Sequence, residues 1–264
     1  MPYASQGGDN GAVQTLTSPA IKIAAPPATM MPAVIQTLEN DFATLTNFTP
    51  RVGAVTSKII LNVLSENGLH RTALRAATAT AMPSWGWWCT QNATTCWEAF
   101  PGGGGTRNHI FLCGGIGHWM WKHLVGLDRT SPGFATVRIA PKIDGAYGPK
   151  SVRGEFLSPR GLIKSSWKIT SVEAGQTSGF LLNISLPIGV QSAEVTVPAP
   201  PVAASTWSLG VPAGNLRVVC NGMVVWSSGQ FTAVEGVKTA RLSSEGTAVT
   251  FGTTNGAFSF ASHL

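Results

Sequence analysis

Acidic residues are scarce in this sequence: 12 Asp and Glu stand among 264 residues, against 18 Lys and Arg. The resulting charge of +6 is spread along the chain without a block of like charges, which argues against nucleic acid as a partner. Long apolar runs are missing too. No stretch long enough for a membrane span escapes a charge or a Pro-Pro break, and the N-terminus lacks the basic-then-apolar order of a signal peptide, so no membrane partner is expected. Cysteine is sparse. Cys89, Cys96, Cys113 and Cys220 show neither C-x-x-C spacing nor a dense disulfide framework, which excludes a zinc-ribbon type of site. Tyrosine is nearly absent at 2, whereas tryptophan is abundant at 9.

What is present describes a chain able to bury a core, with 44% hydrophobic and 11% charged residues. Residues 1–31, with Gly, Ala and Pro but no sustained periodicity, read as an irregular tail or the remnant of something longer. From Pro32, "PAVIQTLENDFATL", "GAVTSKIILNVLSENG", "HRTALRAATATA" and "NHIFLCGGIGHWMWKHLVGL" carry apolar residues at helical spacing. Asn67-Gly68 and Gly126 serve as helix stops. Residues 32–128 are therefore expected to be helical. About four helices with wide aromatic faces cannot easily bury those faces in a small bundle, so this half looks like part of a larger helical domain.

After Asp128 the pattern changes to short β-rich runs separated by turns. "FATVRI", "GLIKSSWKI", "GFLLNISL", "AEVTV", "LRVVC", "MVVW", "ARLSS", "AVTF" and "AFSF" predict an antiparallel β-sandwich over 129–264. Asn221-Gly222 in "LRVVCNGMVVW" predicts a tight hairpin turn, Ser244-Glu245-Gly246 another turn, and "VPAPPVAAS" a long edge loop. The expected fold class is α + β multidomain. Three N-x-S/T sequons (Asn47, Asn92, Asn183) lean slightly toward an extracellular setting.

Function is most visible in "PSWGWWCTQNATTCWEAFPGGGGTRNHIF". Here Glu98 stands among Trp85, Trp87, Trp88 and Trp97, beside a glycine-rich loop and the Asn108-His109 pair. Indole rings and glycines around a carboxylate are the usual lining of a sugar site, with rings on the apolar face of the pyranose and polar groups on its hydroxyls. Tryptophan can also withdraw a carboxyl from water and raise its pKa. A purely structural reading competes: Thr95-x-x-Glu98 has the form of a helix capping box. A glycosidase needs two carboxyl groups, about 6.5–9.5 Å apart for inversion. No second one lies in the tryptophan segment, and Glu66 and Asp128 fall at predicted helix ends. Gly102 to Gly105 lacks the phosphate-loop pattern and reads as a flexible loop, and His118 and His123 point to different helix faces. No metal or cofactor is expected.

Several separate blocks, "MPSWGWWCTQNATTCWEAF", "TRNHIFLCGGIGHWMWKHLVGL", "PGFATVRIAPKI" and "SPRGLIKSSW", resemble in order and spacing the C-terminal part of α-L-rhamnosidases of glycoside hydrolase family 78. The resemblance runs from about Pro32 to Trp167. It implies the last helices of an (α/α)6 barrel followed by the β-sandwich. It also implies that Glu98 matches the general base of inverting hydrolysis of terminal α-L-rhamnosyl bonds, that Asn108 and His109 match the sugar-subsite pair, and that Trp85 and Trp97 match aromatic positions lining or supporting it. The substrate so implied is a rhamnosylated glycoside or polysaccharide. Two residues depart from the family pattern: Cys96 replaces an aliphatic residue, and His118 takes the place of an acidic one. Nothing corresponds to the family's general acid, which precedes P-S-W-G in an acidic segment. The expectation is a glycosidase fragment whose partner is the missing N-terminal barrel portion; the alternative is a non-catalytic carbohydrate-binding protein.

Overall fold

The structure is a computed structural model that describes residues 12–98, 105–109, 111–170, 179–200 and 216–263, with no side-chain description for residues 12 and 111–114. Most of the expected tail's first third, Gly102 to Gly104 and the Pro-rich stretch beyond residue 200 lie outside these. The chain divides into two compact units, Met1–Trp119 and Met120–Leu264.

The first unit is helical. Its elements are α1 (Ala12–Lys22), α2 (Met31–Asn40) continued by a wide π-type turn (Asp41–Leu45), α3 (Ala54–Ser57), α4 (Ile60–Glu66), α5 (His70–Thr78), α6 (Trp85–Thr90) and α7 (Phe111–Trp119). At the centre is α4, where Ile60, Leu61, Val63 and Leu64 are buried together with Asn62 and Ser65. A helix buried on every side must be wrapped by others, and α1, α3, α5 and α7 all pack on it. Ser65 is anchored on both sides: its Oγ accepts from Trp119 Nε1 at 2.8 Å and pairs with His70 Nδ1 at 2.9 Å. Gly68, at φ +85°, supplies the left-handed step that ends this helix.

The expected irregular tail instead contains α1. Its buried face is Gln14, Ser18 and Ile21, spaced by four and three, while Leu16 and Ile23 point to solvent. Two polar residues on the inner face, with Pro19 inside the helix, hide it from any search for apolar periodicity. Gln14 explains the burial. Its Nε2 donates to Asp41 Oδ2 at 2.8 Å and to Thr46 Oγ1 at 3.2 Å, and its Oε1 accepts from the Arg51 N–H at 2.8 Å.

The second unit opens with another π-type turn (Met120–Val125), closed by Gly126 at φ +84°. Strands follow as β1 (Leu127–Arg129), β2 (Thr136–Ile139), β3 (Ser151–Ser158), β4 (Gly161–Thr170), β5 (Gly179–Leu186), β6 (Ser192–Pro198), β7 (Arg217–Cys220), β8 (Met223–Ser227), β9 (Gln230–Phe231), β10 (Val237–Leu242), β11 (Ala248–Thr253) and β12 (Gly256–His263). Asp128, expected at a helix end, thus lies in a strand and pairs with Lys122 at 3.2 Å. One sheet has the order β1-β2-β6-β11-β10, the other β3-β4-β5-β12-β7-β8-β9. All pairings are antiparallel except β2 with β6. Alternate residues such as Ile163, Trp167, Leu182, Ile184, Val195, Phe251 and Phe260 fill the space between the sheets. The β7–β8 hairpin turns at Asn221 (φ 48°) and Gly222 (φ 84°), as the Asn-Gly pair predicts. Burial pushes the Cys220 thiol up to about 11, which leaves it an inert part of this core.

Asp41 is buried, and burial raises its carboxyl above the ordinary 3.8, while the Gln14 hydrogen bond and the Arg51 charge oppose the rise. The folded chain therefore holds this proton to higher pH than the unfolded chain, and the fold loses stability as pH climbs from 3.8 through the raised value. Asp41→Asn keeps an acceptor for Gln14 without the charge. Its urea midpoint, relative to wild type, is expected to be more favourable at pH 7 than at pH 4; a pH-independent difference would contradict this account.

Candidate active site

The P-S-W-G segment is a compact helix start. Ser84 Oγ donates to the Ala79 carbonyl at 2.7 Å and accepts from the Trp87 N–H at 2.9 Å, capping α6. A Cβ on Gly86 would collide with that same Ala79 carbonyl, so glycine is what lets α6 lie against the end of α5. The helix is too short for both its ends to be far from any of its rings, and Trp85 and Trp88 are buried on it.

Glu98 is carried by irregular chain. No helix starts at Thr95, which overturns the capping-box reading. Residues 95–98 run instead beside residues 105–109, bonded by the backbone. The His109 N–H donates to Cys96 O at 2.6 Å and the Glu98 N–H to Thr106 O at 2.9 Å. Thr95 Oγ1 donates to Arg107 O. The Thr106 N–H donates to Glu98 Oε2 at 2.8 Å, which fixes one carboxylate oxygen; the other makes no hydrogen bond among the described residues. Gly105 makes room for this: it sits at φ +90°, and a Cβ there would collide with Oε2. The carboxylate is exposed rather than enclosed by indoles.

Trp97 is the aromatic floor of this arm. It is buried, meets Trp87 edge-to-face (centroids 5.9 Å apart, 87°) and Trp88 at a tilt (6.1 Å, 43°), and has the Arg107 guanidinium 4.8 Å over its ring. Cys96 is disulfide-bonded, a covalent tie that the sequence spacing did not reveal. Asn108 is exposed, with its N–H on Thr106 Oγ1 at 3.1 Å, and its side chain makes no hydrogen bond among the described residues; His109 is half-buried. The structure thus gathers Glu98, Trp97, Asn108 and His109 on one hydrogen-bonded arm. Trp85 stands at the start of α6, and the rings that contact Trp97 belong to Trp87 and Trp88.

Three contributors were not singled out from sequence: Gly105, Thr106 and Arg107. The only signal for them was the glycine run before Thr-Arg, and backbone donors leave no mark on residue type. His118, in the place of an acidic residue, lies 3.4 Å from Asn62 Nδ2 through its Nδ1. Among the described residues no group of three or more His, Cys, Asp or Glu could hold a metal ion, and no helix is long and apolar enough to cross a membrane.

Comparison with known proteins matches both halves of the chain. The family described as bacterial alpha-L-rhamnosidase 6 hairpin glycosidase domain matches residues 4–124, and the bacterial alpha-L-rhamnosidase C-terminal domain matches residues 126–209. The chain belongs to the bacterial α-L-rhamnosidase family. An α-L-rhamnosidase of Streptomyces avermitilis is 31% identical over 150 residues, covering 53% of this chain and 14% of that enzyme. The chain therefore spans about a seventh of that relative's length. Among solved structures, the S. avermitilis α-L-rhamnosidase complexed with L-rhamnose superposes with a TM-score of 0.73 at 22% identity over 94% of this chain and 21% of that one. The α-L-rhamnosidase from Dictyoglumus thermophilum gives 0.76 at 20% over 95% and 25%. The expected fold, six-hairpin glycosidase helices followed by a β-sandwich, is the one these rhamnosidases have.

Gly105→Ala is expected to push the Glu98 carboxylate off the Thr106 amide. Faster hydrogen exchange at Thr106 would report it. Gly68→Ala, which carries similar backbone strain with open space around the new Cβ, should leave that amide protected.

Proposed function

We propose that this chain carries the general base and part of the sugar subsite of an inverting α-L-rhamnosidase, acting on terminal α-L-rhamnosyl residues of glycosides or polysaccharides. The observation that carries this reading is the state of Glu98: an exposed residue with one carboxylate oxygen held by the Thr106 N–H and the other making no hydrogen bond among the described residues. A base that must take a proton from water needs that combination of fixed orientation and a free lone pair. In the reaction, Glu98 removes a proton as the water oxygen attacks the anomeric carbon. A general acid on the other face protonates the departing glycosidic oxygen, and the configuration inverts. Trp97 and Trp85, both buried, support the sugar-binding surface from beneath, and Asn108 and His109 are the hydroxyl partners.

The acid comes from barrel sequence that this chain does not contain. Of the acidic residues described in the helical unit besides Glu98, Asp41 is bonded to Gln14, Glu66 to Lys22 and Glu39 to Gln36. The same missing helices would cover Leu16, Ile23 and Val55, which are 69%, 75% and 79% exposed here.

The test is hydrolysis of p-nitrophenyl α-L-rhamnopyranoside. The chain alone is expected to be inactive, and the barrel restored by the preceding sequence active. In the restored enzyme Glu98→Gln, which keeps the Thr106 bond but cannot take a proton, should lower kcat by roughly 10²–10⁴-fold with little change in KM. Near-normal turnover in Glu98→Gln would remove the base assignment. Rhamnose binding with no turnover in any form would leave the non-catalytic carbohydrate-binding alternative.

A further inference from the structure

Arg107 sits between Thr106, which holds Glu98, and Asn108. Its guanidinium carbon stands 4.8 Å over the Trp97 ring centroid, it is exposed, and among the described residues it makes no ion pair. Among other exposed arginines Arg138 and Arg241 pair with Glu194 and Arg153 with Glu155, while Arg129 and Arg217, like Arg107, make no ion pair among the described residues; Arg107 differs from those two in lying over Trp97 on the arm that carries Glu98. A terminal rhamnosyl unit is a neutral deoxy sugar and gives a guanidinium no charge to bind. A planar fork of donors, oriented by an indole and unfilled, instead fits a carboxylate.

The geometry points to Arg107 as a specificity-determining residue: it binds the carboxylate of a uronic acid to which the rhamnose is linked, so that rhamnosyl uronates are preferred over neutral rhamnosides. This rests on the reading of the Glu98 arm as a rhamnose site. The Trp97 floor limits the rotamers the arginine loses on binding, and the cation offsets the repulsion that the Glu98 carboxylate would exert on an acidic substrate. Arg107 touches the neighbouring sugar rather than the reacting atoms, so it sets selectivity rather than chemistry.

The experiment is calorimetric titration of the 264-residue chain with two disaccharides, α-L-rhamnose linked to glucuronic acid and the same linked to glucose. Wild type, Arg107→Gln and Arg107→Lys are compared at low salt and in 0.5 M NaCl. The uronate is expected to bind roughly fivefold tighter than the glucoside in wild type. That gap should shrink in high salt, disappear in Arg107→Gln and survive in part in Arg107→Lys, which keeps the charge but loses the fork. Equal affinities in wild type, or a gap that persists in folded Arg107→Gln, would overturn the assignment while leaving the rhamnose site standing. Binding of neither disaccharide by the folded wild-type chain, nor by the enzyme with its barrel restored, would overturn both. The wild-type comparison needs no variant, so a misfolded Arg107→Gln cannot shelter the idea.

Discussion

Thr106 is bonded to Glu98 twice, accepting from its backbone N–H and donating to its carboxylate. Everything else about the candidate site follows from that double contact. It brings residues 105–109 alongside residues 95–98, so that Asn108, His109 and Arg107 share one arm with Trp97. It also places the acid where neither a helix nor a strand would carry it. Gly105 is the condition for the contact, because any side chain there would occupy the position of Oε2. The aromatic cluster then serves as a rigid base: Trp97 is wedged between Trp87 and Trp88, and α6, which carries both, is locked to the end of α5 by Ser84 and Gly86.

The two units solve the burial problem differently. The sandwich closes on itself, with two sheets facing each other across a core of aliphatic and aromatic side chains. The helical unit is organised around one fully buried helix, α4, but leaves Leu16, Ile23 and Val55 in water. In a small domain, exposed aliphatic side chains on several helices cost hydrophobic stabilisation that further helices would recover.

Legibility in the sequence tracked the kind of signal available. Strands β4, β5, β6, β11 and β12 alternate cleanly, and the Asn221-Gly222 turn needs two positive-φ residues, so both were readable. Strand β3 was not anticipated, since Gly154 interrupts it; the structure shows why glycine is there, with Val125 and Trp121 packed against the space a Cβ would fill. Helix α1 escaped because its inner face is Gln14 and Ser18, and the burial of Gln14 depends on partners up to 37 residues away. At the site, residue type pointed to Glu98, Trp97, Asn108 and His109, but the T-x-x-E spacing also fitted a helix cap. Only the tertiary pairing with Thr106 separates the two readings, and a backbone amide leaves no trace in a pattern of side chains.

The way the arm is pinned has a consequence for change over time. Cys96 to His109 and Glu98 to Thr106 are nested closures, like rungs of a short ladder, and both are made by backbone groups. Exchanges of exposed side chains along the arm leave both rungs in register, so the acid stays where it is while the surface beside it is rewritten. A lineage, or an engineer, could change the exposed side chains of Arg107 and Asn108 without unpinning Glu98.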